Sequence, residues 1–473
     1  AKEVVLGAIS RKKINWCSYN SRGDIMEQSP VTDTVTQVIS HAAADVNLAT
    51  TWVGWLSLAI FVLAYYFIAT EDKYEVNKAK PALFAGTFMF MLIGVYYAIN
   101  GLNPDPLHDE LEVLILEIAE IFFFLLVAMT FIETLIERGV FDLMKFKLVS
   151  KGYSYKKLFW LTGLLAFFIS PVADNLTTAL ILSTVLFTID KKNLAFLVPG
   201  AINIVVAANA GGAWSPFGDI TTLMAWTAGK GQFVDFLYLF PASVVGWVIT
   251  ASLLSMSVPK GQPPFDASTE TKPVVADGGM GVAYFGILTI VMAVLGHQFF
   301  HFPAMWGMMF GMAILKLYAV HLHKSGKNGF NIYINMQKVE NDTLLFFFGI
   351  LSAVGALHFL GFLHYIHDLY TSFGPTISNI GVGFLSAIVD NVPVMSAILK
   401  SSPEMGLDQW LLVTLTAGIG GSLISFGSAA GVGVMGRLHG IYTFGAHMKH
   451  SWTILAGYIA SIAVWYFQFQ ILG

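Results

Sequence analysis

Charge is what this chain has least of. Asp, Glu, Lys and Arg together make 12% of its 473 residues, where a soluble domain carries about 25%. That shortage excludes an ordinary water-soluble protein; the formal net charge of −4 is itself uninformative, and no nucleic-acid partner is expected. Cysteine is nearly absent too. The single Cys17 excludes an intramolecular disulfide and leaves the compartment open. Also missing are segments of about 10 residues that alternate apolar with polar, which excludes a transmembrane β-barrel.

In place of charge there is apolar length. Apolar residues make 56% of the chain and gather in runs of roughly 18–35 residues, each able to cross a hydrocarbon core of about 30 Å as a helix. The fold class is therefore an all-α polytopic membrane protein seated in the lipid bilayer. The runs fall at about 51–69, 82–99, 113–136, 158–189, 194–228, 233–258, 281–299, 303–320, 341–366, 375–399, 409–436 and 452–471. Residues 1–50 are too polar for a span. Their basic cluster, Arg11, Lys12 and Lys13, has no apolar region after it and so is no signal peptide. They read as an extramembrane extension.

Lys and Arg favour the cytoplasmic ends of spans. Loop 70–81 holds Lys73, Lys78 and Lys80, loop 100–112 holds none, and loop 137–157 holds Arg138, Lys145, Lys147, Lys151, Lys156 and Lys157. Strict alternation would then put the far end of run 158–189 outside, yet that end carries Lys191 and Lys192. A re-entrant hairpin that enters and leaves on the cytoplasmic side removes the conflict. A single helix over 158–189 would be about 48 Å long, too long to stand upright. Two arms joined at Pro171–Asn175 fit, with Asp174 at the tip. Carried through the chain, this gives ten spans and two hairpins, with both termini on the outer, periplasmic side. Beyond the N-terminal extension, every Lys and Arg then lies inside except Lys230 and Lys400.

The chain also repeats itself. FISPVADNLTTALI (168–181) matches FLSAIVDNVPVMSAI (384–398), aligning Ser170 with Ser386, Asp174 with Asp390 and Asn175 with Asn391. GGAWSPFGD (211–219) matches GGSLISFGS (420–428), and FFFLLVAM (122–129) matches FFFGILSA (346–353). An odd number of spans per copy inverts the second. The expected organisation is two inverted repeats of five spans, 51–258 and 281–473, joined by a cytoplasmic linker 259–280. The first holds hairpin 158–189 and broken helix 194–228; the second holds hairpin 375–399 and broken helix 409–436. Hairpins entering from opposite faces bring Asp174 and Asp390 near the midplane. Inverted repeats with helices interrupted at that depth mark secondary transporters.

Charge at the bilayer centre costs at least about 2.5–3.5 kcal/mol and is a functional-site candidate by default. The polar groups at the tips and breaks are Ser170, Asp174, Asn175, Thr177, Thr178, Asn209, Ser215, Asp219, Thr221, Thr222, Ser386, Asp390, Asn391, Ser422, Ser425 and Ser428. These are hard oxygen donors, suited to a hard cation rather than zinc or copper. No Arg or Lys stands among them, so no counter-ion for an anionic substrate is expected. Three carboxylates in one low-dielectric pocket would repel, and such groups can hold either protons or metal ions. The simpler reading is that Asp174, Asp390 and Asp219 are helix N-caps. Asn or Ser would cap without charge, so acids at two related tips favour a function; for Asp219, whose repeat partner is Ser428, the two readings balance. Glu133, within run 113–136, is a candidate for a proton path. The spacings in HLH (321–323) and HYIH (364–367) suit loop or interface roles better than metal binding.

ADNLTT with NAGGAWSPFGDITT, and VDNVP with GGSLISFGSAAG, resemble the NhaD family of bacterial sodium/proton antiporters, within the ion transporter superfamily. The likeness spans about residues 50–473. It implies exchange of Na⁺ or Li⁺ for H⁺ across the bacterial inner membrane without a cofactor. It also implies a homodimer in which a hairpin-bearing transport domain moves against a scaffold. The residues it points to are Asp174, Asn175, Asn209, Asp219, Thr221, Thr222, Asp390, Asn391, Ser425 and Ser428, with Na⁺ at Asp174, Asn175, Asp390, Asn391 and nearby backbone carbonyls. Ser170, Thr177, Ser386 and Ser422 stand as supporting groups. Two rivals remain. A sodium-coupled carboxylate or oxyanion carrier of the same fold would place Ser-Asn-Thr where this chain has Asp-Asn. An intramembrane aspartyl protease would need Gly-x-Gly-Asp, of which PFGD (216–219) has one glycine. On the exchange reading, Asp174→Asn and Asp390→Asn each abolish sodium-driven pH change in everted vesicles while membrane insertion persists.

Overall fold

The computed structural model describes residues 48–70, 74, 76–263 and 273–472. Most of the extension 1–50 lies outside the described residues, as do Arg11, Lys12, Lys13, Cys17, Lys73, Lys272 and part of the linker 259–280. The first half contributes α1 (Trp52–Ala69), α2 (Ala79–Asn100), α3 (Asp105–Glu137), α4 (Tyr155–Ala173), α5 (Asn175–Ile189), α6 (Leu194–Gly212), α7 (Ile220–Thr227) and α8 (Phe240–Leu254). The second contributes α9 (Gly279–Phe300), α10 (Ala304–Lys324), α11 (Asn341–Phe359), α12 (Pro375–Val389), α13 (Asn391–Ser401), α14 (Leu407–Gly420), α15 (Ala429–Arg437) and α16 (Ser451–Tyr466). Each helix of the first half has its counterpart eight places later. Contacts come in matching crossed pairs: α2 packs on α11 as α10 packs on α3, α5 on α15 as α13 on α7, and α4 on α6 as α12 on α14. The counterparts α8 and α16 pack on each other.

At each expected tip the helix is interrupted by a single residue. One residue, Asp174, separates α4 from α5, and one, Asp390, separates α12 from α13. The interrupted helices break after Gly212 and Gly420 and resume at Ile220 and Ala429. Nine helices of the described residues are long and apolar enough to cross a membrane. That length-based set takes in the hairpin arm α4 and omits the broken α14–α15 and the shorter α1, so it is compatible with ten spans and two hairpins. Loops grouped on one side by their lysines touch one another. Asn77 Nδ2 donates to Asp342 at 2.8 Å, and an Arg138 guanidinium N–H donates to the Asn328 carbonyl at 2.9 Å. On the other side, Lys400 donates to Glu117 at 2.9 Å and Lys230 lies 4.8 Å from the Trp410 ring centre.

Some boundaries differ from the sequence expectation. Run 113–136 extends outward to Asp105–Glu137, because polar residues at a span's end continue its helix beyond the apolar stretch. Run 341–366 stops at Phe359; the chain turns through Gly361 at φ 95 and resumes as a short helix, His364–Phe373. Val140–Val149, Ile332–Lys338 and Phe444–Met448 are also helical, each too short to show a period in the sequence.

Small residues set the closest approaches, as expected where lipid leaves packing rather than the hydrophobic effect to join helices. A Cβ on Gly211 would meet the Phe167 carbonyl of α4, and one on Gly420 the Gly383 carbonyl of α12. These equivalent contacts press each hairpin arm, backbone to backbone, onto its broken helix. Gly420→Ala is expected to cost about 1–3 kcal/mol by overpacking and to lower the thermal-shift midpoint in detergent. Gly381→Ala, inside α12 at a position with open space around it, should hold or raise that midpoint, since alanine favours the helix over glycine.

Candidate functional site

Four helices begin at the tips and breaks, each with a polar N-cap: Asp174 for α5, Asp219 for α7, Asp390 for α13 and Ser428 for α15. The capping geometry is real. Asp174 accepts from the Thr177 amide at 2.7 Å and its hydroxyl at 2.8 Å; Asp219 accepts from the Thr221 amide and hydroxyl, both at 3.0 Å. Asp390 accepts more weakly, from the Val392 amide at 3.5 Å. Capping does not account for the backbone at the tips. Asp174 has φ 57 and ψ 163, and Asp390 φ 74 and ψ 144, a left-handed conformation that glycine adopts freely and that costs other residues about 1–3 kcal/mol. Two related acids hold this conformation where glycine would relieve it.

The two halves meet at Asp219. Besides Thr221, its carboxylate accepts from Asn175 Nδ2 at 2.8 Å and from Asn391 Nδ2 at 3.2 Å to each oxygen. Asn175 and Asn391 follow the two tips and are repeat-related, so one buried carboxylate receives an amide from each hairpin. A hydrogen bond to a charged group contributes about 1.5–3 kcal/mol net. Asn175 Nδ2 also lies 3.1 Å from Asn209 Oδ1, and Asn209 Nδ2 donates to the hydroxyls of Ser422 at 2.8 Å and Ser428 at 2.9 Å. A continuous chain of polar contacts thus runs from hairpin 1 through both broken helices. Ser425 Oγ and Thr178 Oγ1 are buried with no protein partner.

The other hydroxyls are structural ties. Ser170 donates to the Ala208 carbonyl at 2.6 Å and Ser386 to that of Ala417 at 2.7 Å, fastening each hairpin to its broken helix. Ser215 donates to the Pro171 carbonyl at 2.8 Å, and Thr222 reaches the Gly212 carbonyl at 3.4 Å. Glu133 is partly buried on α3 and is brought to none of these contacts. Among the described residues, no three His, Cys, Asp or Glu side chains are grouped to hold a metal ion. Asp219 is held by the amides of Asn175 and Asn391, Asp174 by Thr177, and Asp390 faces a lysine. The donors left are oxygens of carboxylate, amide, hydroxyl and interrupted backbone, which fit a hard monovalent cation.

That lysine corrects one expectation, that no Lys or Arg stands by the tip and break residues as a counter-ion. Lys78 Nζ lies 3.9 Å from Asp390 Oδ2 and 4.5 Å from the Phe346 ring centre. Tyr65 donates to the carbonyl of Val389, next to the same tip, at 2.5 Å. Neither residue carries a signal in the sequence. Lys78 looks like one more loop lysine, and Tyr65 like one aromatic of an apolar run. Buried His447 is likewise unannounced; its Nε2 lies 3.0 Å from the Ser422 carbonyl and its Nδ1 2.7 Å from the Tyr442 hydroxyl.

Paired inverted hairpins and paired broken helices around buried polar groups define a secondary transporter. The family model described as a citrate transporter, CitMHS, matches residues 58–418. Among curated proteins, the Na(+)/H(+) antiporter NhaD of Alkalimonas amylolytica is 42% identical, covering 91% of this chain and 93% of that protein. That of Vibrio cholerae is also 42% identical, covering 87% and 91%, and that of Vibrio parahaemolyticus 44%, covering 81% and 98%. The chain belongs to the NhaD sodium/proton antiporters, within the family that the citrate-transporter model describes.

Asp174→Gly separates capping from function. Glycine removes the strain of the positive φ and costs only a few tenths of a kcal/mol as a cap, so the thermal-shift midpoint should hold or rise while transport is lost.

Proposed function

We propose that this protein exchanges Na⁺ or Li⁺ for H⁺ across the bacterial inner membrane by alternating access. The observation that carries the reading is Asp219, a buried carboxylate held by one asparagine from each hairpin. In this scheme Asp219, Asp174 and Asp390 take protons and alkali cations in turn. The amides of Asn175, Asn209 and Asn391, the hydroxyls of Thr221, Thr222, Ser425 and Ser428, and carbonyls at the breaks supply further oxygens. Ser170, Thr177, Ser386 and Ser422 keep these groups in place, and Glu133 stands apart as a route for protons. No cofactor enters the cycle. Cation and proton use the same negative charge, so binding of one expels the other, and that competition couples their movements.

The two repeats, 51–258 and 281–473 with the linker 259–280, supply the moving parts. Each hairpin travels with its broken helix against a scaffold that includes α2 and α11. Both termini lie on the periplasmic side and two copies form the working unit. The carboxylate-carrier reading places an anion where Asp174, Asp219 and Asp390 would repel it, and the family-model description is its main support. A protease would require two acids free to share a water, whereas Asp219 is enclosed by asparagines.

Purified protein in liposomes, with an imposed sodium gradient and a trapped pH dye, tests the proposal. The wild type should move protons against sodium, and Asp219→Asn should reduce exchange to background while remaining monodisperse. Sodium-dependent uptake of labelled citrate without proton counterflow would instead establish the carrier.

A further inference from the structure

A cavity of about 480 Å³ opens between the loop before α2, the start of α11 and the second half of the broken helix, lined in part by Lys78, Glu340, Asp342 and Val432. Beside it lies a cleft of about 10 Å³, lined by Tyr65, Lys78, Val389, Asp390 and Val432, roughly the room that one water needs. Lys78 and Val432 belong to both. The larger cavity is lined by the acidic Glu340 and Asp342, and Lys78 is shared with the cleft that holds Asp390. The Lys78 side chain is 12% exposed and that of Asp390 6%, so the pair is shielded from the solvent that weakens surface ion pairs. Lys78 begins α2 and rests on Phe346 of α11, while Asp390 belongs to the hairpin. The pair therefore links the residue that caps the start of α2 to the tip of the second hairpin.

We infer that Lys78 is a tethered cation that competes with Na⁺ for Asp390, and so is a specificity-determining residue of the exchange. Its ammonium occupies the carboxylate when Na⁺ is absent, and an entering Na⁺ must displace it. Displacement also removes one link between the hairpin tip and the start of α2, while the Tyr65 bond to the Val389 carbonyl remains. The ammonium suits this role because it is a compact point charge on a flexible stem. It can withdraw toward Phe346 and the larger cavity without repacking a helix. The inference rests on the proposal that Asp390 takes part in ion binding.

The test compares Lys78→Met, Lys78→Gln and Asp390→Asn with the wild type. Apparent KM for Na⁺ and maximal rate are measured in liposomes, and Na⁺-dependent thermal stabilisation is measured in detergent as a binding readout independent of transport. Lys78→Met should lower the KM and the Na⁺ concentration for half-maximal stabilisation about tenfold, equivalent to about 1.4 kcal/mol. Lys78→Gln should act in the same direction and serves where the methionine variant fails to fold. In the Asp390→Asn background, either Lys78 substitution should change Na⁺ binding no further. A KM and a binding midpoint within twofold of wild type for both Lys78 variants, with Asp390→Asn inactive, would overturn the inference and leave the exchange reading standing. An Asp390→Asn protein that binds and transports Na⁺ like the wild type would instead remove the premise.

Discussion

A carboxylate inside a membrane protein must be answered from every side, and Asp219 is answered by both halves of the chain. It is buried, and Thr221, Asn175 and Asn391 provide the donors. Each donor imposes a demand on the backbone. Asn391 reaches Asp219 only if the second hairpin enters from the face opposite the first, and Asn175 only if α5 starts beside the break before α7. Asn209 extends the demand to the second broken helix through Ser422 and Ser428. The crossed packing of the halves is thus the arrangement that lets one charge be shared between two copies of the same motif.

Duplication does not make the halves equal. Asp219 aligns with Ser428, and Asn209 with Gly418. The first broken helix supplies the charge and the bridging amide; the second supplies the hydroxyls that accept from that amide. The tips differ as well, Asp174 being paired with its own Thr177 and Asp390 with Lys78 of α2. An inverted repeat provides the frame, and substitutions within it give each copy a separate electrostatic task.

Much of this was legible from residues alone. Lys191 and Lys192 on the wrong side of an overlong run required a hairpin, and the pair SPVADN and SAIVDN located both tips. The capping alternative was also right as geometry: all three acids cap helices. Their positive φ at two positions is what capping leaves unexplained, and no dihedral angle can be read from a sequence. The central place of Asp219 is not legible in the sequence, because beside its repeat partner Ser428 the capping and functional readings balance. Lys78 was counted only toward topology, since a lysine in a loop gives no hint of which distant tip it reaches. The short helices escaped because periodicity needs several turns to show.

The glycine contacts have a mechanical meaning. At Gly211 against Phe167, and at Gly420 against Gly383, main chain presses on main chain with no side chain between. Such seams have no rotamers to exchange, so a change in the backbone of one partner bears directly on the other. Contacts made by long side chains such as Lys78 and Tyr65 differ in kind, since they can release and re-form without repacking main chain.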